Sequence, residues 1–264
     1  MFKKLGVQAY TFRQAYGAED ANEKTLAAAF QTVKSLGYDE IQTAGFGVVG
    51  IDAYARLAHE AGLQIVGTHY DYQEMLADTD EAMRKHTEIL HTNIMGIGSM
   101  PSPARESKEA LFRFIDEFNA IGDRIHPYGF KLTYHNHHFE FVRFDDGKTI
   151  MDYLYEGLNP ETTSFCLDTH WVQRGGANPT TWVEKLAGRI DILHLKDMAV
   201  IRGEAGIEPL ITEIGHGNID FDSVIAAAEK GGVAYYCVEQ DSCPGDPMVS
   251  LKASADYLRT HYMK

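Results

Sequence analysis

The chain has 264 residues, 44% hydrophobic and 23% charged, enough to bury a substantial core and unlike a disordered chain. A net charge of −14 without any Lys/Arg-rich run would repel a phosphate backbone, which argues against nucleic acid as a partner. Cys166, Cys237 and Cys243 form no CxxC pair and leave one over, against both a disulfide framework and a thiolate zinc site. No stretch approaches the roughly 18 apolar residues of a membrane span, and MFKKLGVQAYTF lacks a signal-peptide apolar run, so a soluble, cytoplasmic protein is expected.

Taken in chain order, short apolar or β-branched runs alternate with segments of helical period. LGVQAY precedes EKTLAAAFQTVKSLG, DEIQTA precedes IDAYARLAHEAG, QIVGTH precedes EAMRKHTEILH, and NIMGIG precedes KEALFRFIDEFNAIGDRIHPYG. KLTYHNH comes next, then SFCLDTH with TTWVEKLAG, DILHLKD with FDSVIAAAEKGG, and AYYCVEQ with MVSLKASADYLRTHY. Several helical segments end in Gly, as a helix C-terminus prefers. Eight such units average about 33 residues, the size of one unit of a (β/α)₈ barrel. No GxGxxG or GxxxxGK[ST] follows the first strand, which disfavours a doubly wound sheet. With no Pro- or Ser-rich linker, the expected fold is an α/β (β/α)₈ TIM barrel, one domain over residues 1–264.

The ionisable residues gather at the C-terminal ends of these strands: His69, His135 and His137, Asp168, His194 and Glu239. In a parallel barrel those ends share one mouth, where active sites form. Carboxylates with imidazoles make a mixed N/O set suited to Mn²⁺, Zn²⁺, Co²⁺ or Fe²⁺ rather than Ca²⁺. Strand alternation sets His135 and His137 on one face, Asn136 and His138 on the other. A glutamate at the buried end of a strand, as Glu239 is, needs a cation or donors to offset its desolvation. Asp168 has a plainer alternative as a helix cap. His59, His86, His91 and His261 lie in helical segments and are read as surface or packing residues. Tyr10, Phe12, Phe46, Tyr70, Phe139 and Trp171 are read first as core or rim packing, with sugar stacking at a barrel mouth as the alternative.

LTYHNHHFEF, CLDTHWVQRGG, LHLKD, EIGHGNIDF and VEQD, in this order, resemble the xylose-isomerase-like TIM barrels, a superfamily of sugar isomerases and epimerases, inosose dehydratases and, more distantly, endonuclease IV. The resemblance covers essentially the whole chain. It implies one divalent metal ion held by Asp168, His194 and Glu239, plus a strand-five ligand. Relatives carry Glu-Asn-His where this chain has His135-Asn136-His137, so the fourth ligand is either His135 or Glu140 reaching back, with Glu140 preferred. It also sets Gln8, Tyr10, His69, His170, Lys196 and His216 near the substrate. GIGSMPSP lacks the strand-four histidine of endonuclease IV and EIGHGNIDF follows no Asp-x-His pair, which argues for a mononuclear site and against DNA repair. Relatives are often dimers or tetramers, so a homo-oligomer is a further expectation by analogy.

A divalent ion bridging a carbonyl and the adjacent hydroxyl would acidify the intervening C–H and stabilise an enediolate. In that scheme Glu140 and Glu239 exchange the proton, His137 serves if Glu140 is committed to the metal, and Lys196 polarises a substrate oxygen. The expected activity is a metal-dependent sugar isomerase or epimerase. The alternatives are a dehydratase or lyase acting on a keto-sugar or keto-cyclitol, and a non-catalytic sugar-binding barrel. With no phosphate-binding glycine loop after strands seven or eight, an unphosphorylated substrate is expected. Residues 199–212 are read as a lid over the mouth.

Overall fold

A computed structural model describes residues 2–203 and 206–263. Eight parallel strands form a nearly closed barrel: β1 (Gly6–Gln8), β2 (Glu40–Ala44), β3 (Gln64–His69), β4 (Ile94–Ile97), β5 (Lys131–His135), β6 (Thr163–Asp168), β7 (Ile190–Leu195) and, after a hairpin of β8 (Asp197–Gly203) and β9 (Gly206–Thr212), β10 (Tyr235–Val238). The ladder runs β3-β2-β1-β10-β7-β6-β5-β4. Tyr70 N–H donates to Gly96 O at 2.7 Å across the remaining seam. A Cβ on Gly96 would stand 2.6 Å from Thr68 O, so only glycine lets β4 come this close.

Each barrel strand is buried almost throughout, as a parallel sheet covered on both faces requires. Inside the barrel, Val66, Ile94, Cys166, Ile192 and Cys237 fill the floor, so two of the three cysteines serve as small apolar residues. Outside, the far larger core lies between strands and helices. The helix Lys108–Ile125 shows the logic: Leu111, Phe114, Ile115, Phe118, Ile121 and Ile125 recur every three or four residues and all are buried. Ser107 caps it through Ala110 N–H.

The structure adds two things to the sequence pattern. A helix over Ile150–Gly157 joins β5 to β6, started by a reciprocal capping box between Thr149 and Asp152. Residues 199–203 and 206–212, part of the segment expected as a lid, pair instead in the antiparallel hairpin; Glu204 and Ala205 lie outside the described residues. None of the hairpin's described residues lines the cavity at the mouth. Its base is pinned by Asp197, whose Oδ2 accepts from Gly215 and Gly217 N–H and whose Oδ1 accepts from Met198 and Ile219 N–H. No described helix is long and apolar enough to cross a membrane.

Candidate active site

The C-terminal strand ends open into a cavity of about 650 Å³ lined by His69, His135, His137, Trp171, Lys196 and Glu239, with Tyr10, Arg13, Tyr70 and Asp241 among the remaining wall residues. At its base His135, Asp168, His194 and Glu239 each present one ligand atom, all within 4.8 Å of one another and all buried. The strands impose this convergence: His135 and Asp168 end β5 and β6, His194 is the penultimate residue of β7, and Glu239 directly follows β10.

The free atoms of this group point the right way for a metal. His135 Nδ1 lies 3.0 Å from Gly98 O and therefore donates, leaving Nε2 as a lone pair 3.6 Å from Asp168 Oδ2. His194 Nε2 lies 2.5 Å from Gln42 Oε1, leaving Nδ1 directed at Glu239 Oε2 (2.9 Å) and Asp168 Oδ2 (3.7 Å). Asp168 does two jobs. Its Oδ1 accepts from Trp171 N–H at 2.9 Å and caps the turn that follows, while Oδ2 faces the group. His135 Nε2 and His194 Nδ1 are buried, and Asp168 Oδ2 and Glu239 Oε2 are buried with the Lys196 ammonium and these imidazoles as their close polar neighbours. Four buried ligand-type atoms turned towards one another, with the far nitrogen of each imidazole already fixed, match the donor set of a divalent-metal site.

Lys196 offsets the charge of the carboxylates. Its Nζ lies 2.9 Å from Asp168 Oδ2, 2.8 Å from Glu239 Oε2 and 2.9 Å from Asp241 Oδ1. Burial alone would raise the carboxyl pKa values of Asp168 and Glu239, but the ammonium outweighs it and holds both well below their ordinary values. His137 is pushed down to about 3, by burial first and then by His135 and Lys196. His69 is lowered for the same first reason, with His135 and His194 adding to it. Two neutral imidazoles thus face the cavity across from Glu239.

The structure brings His69, His135, His137, Asp168, His194, Lys196, Glu239 and Tyr10 to the mouth. Glu140, preferred above as the strand-five ligand, goes elsewhere. Tyr134 points outward, packing against Phe114 and Phe118, and its hydroxyl donates to Glu140 Oε1 at 2.5 Å. His137 N–H donates to Oε2 at 2.8 Å, so both oxygens are used in the outer layer, and burial raises this carboxyl to about 7. The 3₁₀ turn Phe139–Phe141 turns the chain back behind β5, so the atom of that strand that joins the buried group is from His135. His216 is exposed and 3.8 Å from Glu213, away from the cavity. His170 is buried with Nδ1 3.3 Å from Asp197 O and does not line the wall. Gln8 lies beneath it, donating to Gln42 Oε1 at 2.9 Å. Of the aromatic set, Tyr10, Tyr70 and Trp171 line the cavity, while Phe12 belongs to the core.

Two residues were missed. Gln42 reads as an ordinary polar residue of a strand, and Asp241, though it closes the VEQD motif, is given no role by it. Only assembly brings Gln42 under His194 and Asp241 to Lys196.

The pattern of the xylose isomerase-like TIM barrels matches residues 30–261. An inosose dehydratase of Geobacillus kaustophilus is 25% identical over 232 residues, 75% of this chain and 74% of that protein. A sugar phosphate isomerase/epimerase from Parabacteroides distasonis superposes with a TM-score of 0.78 at 24% identity, over 98% of this chain and 94% of the other. A xylose isomerase-like TIM barrel protein from Mycobacterium smegmatis, solved with magnesium, has a TM-score of 0.75 at 15% identity, over 98% of each chain. With its sequence matched from the first barrel helix to the last, the chain belongs to the family of xylose isomerase-like TIM barrels.

Proposed function

We propose that the protein is a metal-assisted lyase that removes the proton beside the carbonyl of an unphosphorylated keto-sugar or keto-cyclitol and expels a β-oxygen, as a dehydratase does. The observation carrying this reading is the position of Glu140 behind β5. Isomerisation or epimerisation by paired carboxylates needs one on each side of the substrate. Here Glu239 and Asp241 share the β10 wall, and the facing wall offers the imidazoles of His69 and His137.

A divalent ion held by His135, Asp168, His194 and Glu239 would supply the Lewis acidity that acidifies the C–H beside a carbonyl. His137, which lines the cavity with its Nδ1 buried and without a hydrogen-bond partner, is the base that takes this proton. The Lys196 ammonium, at the cavity wall between Glu239 and Asp241, hydrogen-bonds the β-oxygen as its C–O bond breaks, and the proton taken up by His137 completes the departing water and restores the neutral imidazole. Trp171, with its ring 5.1 Å from Lys196 Nζ, covers that ammonium and limits its contact with water.

An uncharged substrate agrees with the wall chemistry. Among the described lining residues the cations are Arg13 and Lys196. Lys196 is held by three carboxylates, and Arg13 Nη1 donates to Tyr10 O and Asp241 O while its guanidinium lies 4.1 Å over the Tyr10 ring. Three carboxylates around Lys196 disfavour a phosphate there, and Arg13 is turned to the backbone and the Tyr10 ring. The inosose dehydratase relative, by its name, acts on a keto-cyclitol, which supports the same class.

The test is incubation of manganese-loaded protein with inososes and ketoses in D₂O, followed by proton NMR and mass spectrometry. A product lighter by one water supports the lyase. Deuterium in a recovered or isomeric sugar without loss of water overturns it in favour of an isomerase or epimerase. Ligand binding without turnover leaves only a sugar-binding barrel.

A further inference from the structure

The Lys196 ammonium touches the same two oxygens, Asp168 Oδ2 and Glu239 Oε2, that the four-residue group offers to an ion. A dication and an ammonium sharing these oxygens repel one another in a buried, low-dielectric site. Something must hold the ammonium when the ion enters. Asp241 Oδ1 is the third contact at 2.9 Å, and Asp241 is outside the group of four.

Formal charge points the same way. With the imidazoles neutral, as ligation requires, Asp168, Glu239 and Asp241 against Lys196 leave a surplus of two negative charges, which one divalent ion cancels. Without Asp241 the loaded site would carry a buried net positive charge. The segment bearing Asp241 is also clamped. Gln240 N–H donates to Thr11 Oγ1 at 3.0 Å, and Arg13 Nη1 donates to the Asp241 carbonyl at 3.0 Å. Because Arg13 takes the carbonyl, Lys196 is the cationic partner of the Asp241 carboxylate among the described residues.

We propose that Asp241 is the berth of the Lys196 ammonium while a divalent ion occupies His135, Asp168, His194 and Glu239, which makes Asp241 a positioning residue for ion binding. This rests on reading the four-residue group as a metal site. On ion entry the ammonium gives up its contacts with Asp168 and Glu239, keeps that with Asp241, and stays at the cavity wall as a hydrogen-bond donor.

The test is calorimetric titration of the chelator-stripped full chain with MnCl₂, for wild type, Asp241→Asn, Lys196→Met and the double variant. Asp241→Asn is expected to weaken manganese binding about tenfold or more, and Asp241→Glu to recover most of that loss. In the Lys196→Met background the same Asp241→Asn change is expected to cost no more than about twofold, so the two substitutions are strongly coupled. Equal losses in both backgrounds would mean that Asp241 acts on the ion only as a distant charge, and would overturn the berth. If Lys196→Met does not fold, Lys196→Gln replaces it in the cycle. A folded wild type that takes up no manganese removes the metal site and this inference with it, whereas tight binding with additive losses removes the berth alone.

Discussion

Gln42 Oε1 accepts from His194 Nε2 at 2.5 Å and from Gln8 Nε2 at 2.9 Å, so one amide oxygen on β2 fixes which imidazole nitrogen of β7 is left to bind a metal. Partners of this kind set the tautomer and orientation of a metal-binding histidine, and their loss typically costs about 10- to 100-fold in affinity. Gln42→Leu, close in volume but without the acceptor, should weaken manganese binding by about that factor with the fold intact. Calorimetry on the purified variant decides it: unchanged affinity would mean that His194 is oriented by its neighbours alone.

Glu140→Gln separates the two strand-five assignments. If Glu140 held the ion, this variant would purify with little metal. With both oxygens occupied by Tyr134 and His137, metal content measured by elemental analysis should stay near that of wild type, while His135→Ala should lose most of it. The same carboxyl has a stability signature. Its folded pKa of about 7 lies above the unfolded value, so its contribution is fully present below about pH 4.5 and is lost as pH rises through 7. Relative to Glu140→Gln, wild type should therefore lose about 3 kcal/mol between those limits in denaturant unfolding. A pH-independent difference would refute the buried, neutral Glu140.

The metal group predicts linkage between ion and fold. Four buried ligand atoms brought together only by the fold should make the native state bind manganese far better than the unfolded chain, so added ion should raise the melting temperature in proportion to the logarithm of its concentration. Asp168→Ala and His194→Ala should abolish that rise. A melting temperature indifferent to ion in wild type would dispose of the site.

What could be read in the chain follows from where each residue's partners lie. Asp168, His194 and Glu239 were legible because a parallel barrel sends every strand end to one mouth, so position along the strand suffices. Glu140 was not, because its destination depends on a 3₁₀ turn and on the outward-facing Tyr134, a contact that strand alternation cannot register. Gln42 and Asp241 escaped because their roles depend on other strands, β2 reaching β7 through the barrel and the segment after β10 meeting its neighbour β7. The helix Ile150–Gly157 was missed although T-x-x-D at Thr149 and Asp152 marks its start, since eight residues carry too little periodicity to stand out. The hairpin reads as a loop by its Gly-rich centre, yet AVIR and IEPLI around that centre pair strand to strand.

His86, set aside above as a packing residue, should govern part of the acid sensitivity. It is fully buried, with Nδ1 donating to Ala82 O at 2.7 Å and Nε2 paired with Thr68 Oγ1 at 2.8 Å, a neutral tautomer with both nitrogens satisfied. Burial lowers its pKa to about 4, against the opposing pull of the Ala82 carbonyl. Since the folded value lies below the unfolded one, its contribution is complete above about pH 6.5 and is lost as pH falls towards 4, a span of about 3 kcal/mol. Thr68 precedes His69 and its Oγ1 also receives Gly96 N–H, so protonation loosens the β3–β4 seam beside the cavity. Urea unfolding of wild type and His86→Gln at pH 7.5 and 5.0 should show the wild-type advantage shrinking by about 2 kcal/mol at the lower pH. If the advantage is the same at both, His86 does not titrate in this range and another buried histidine carries the effect.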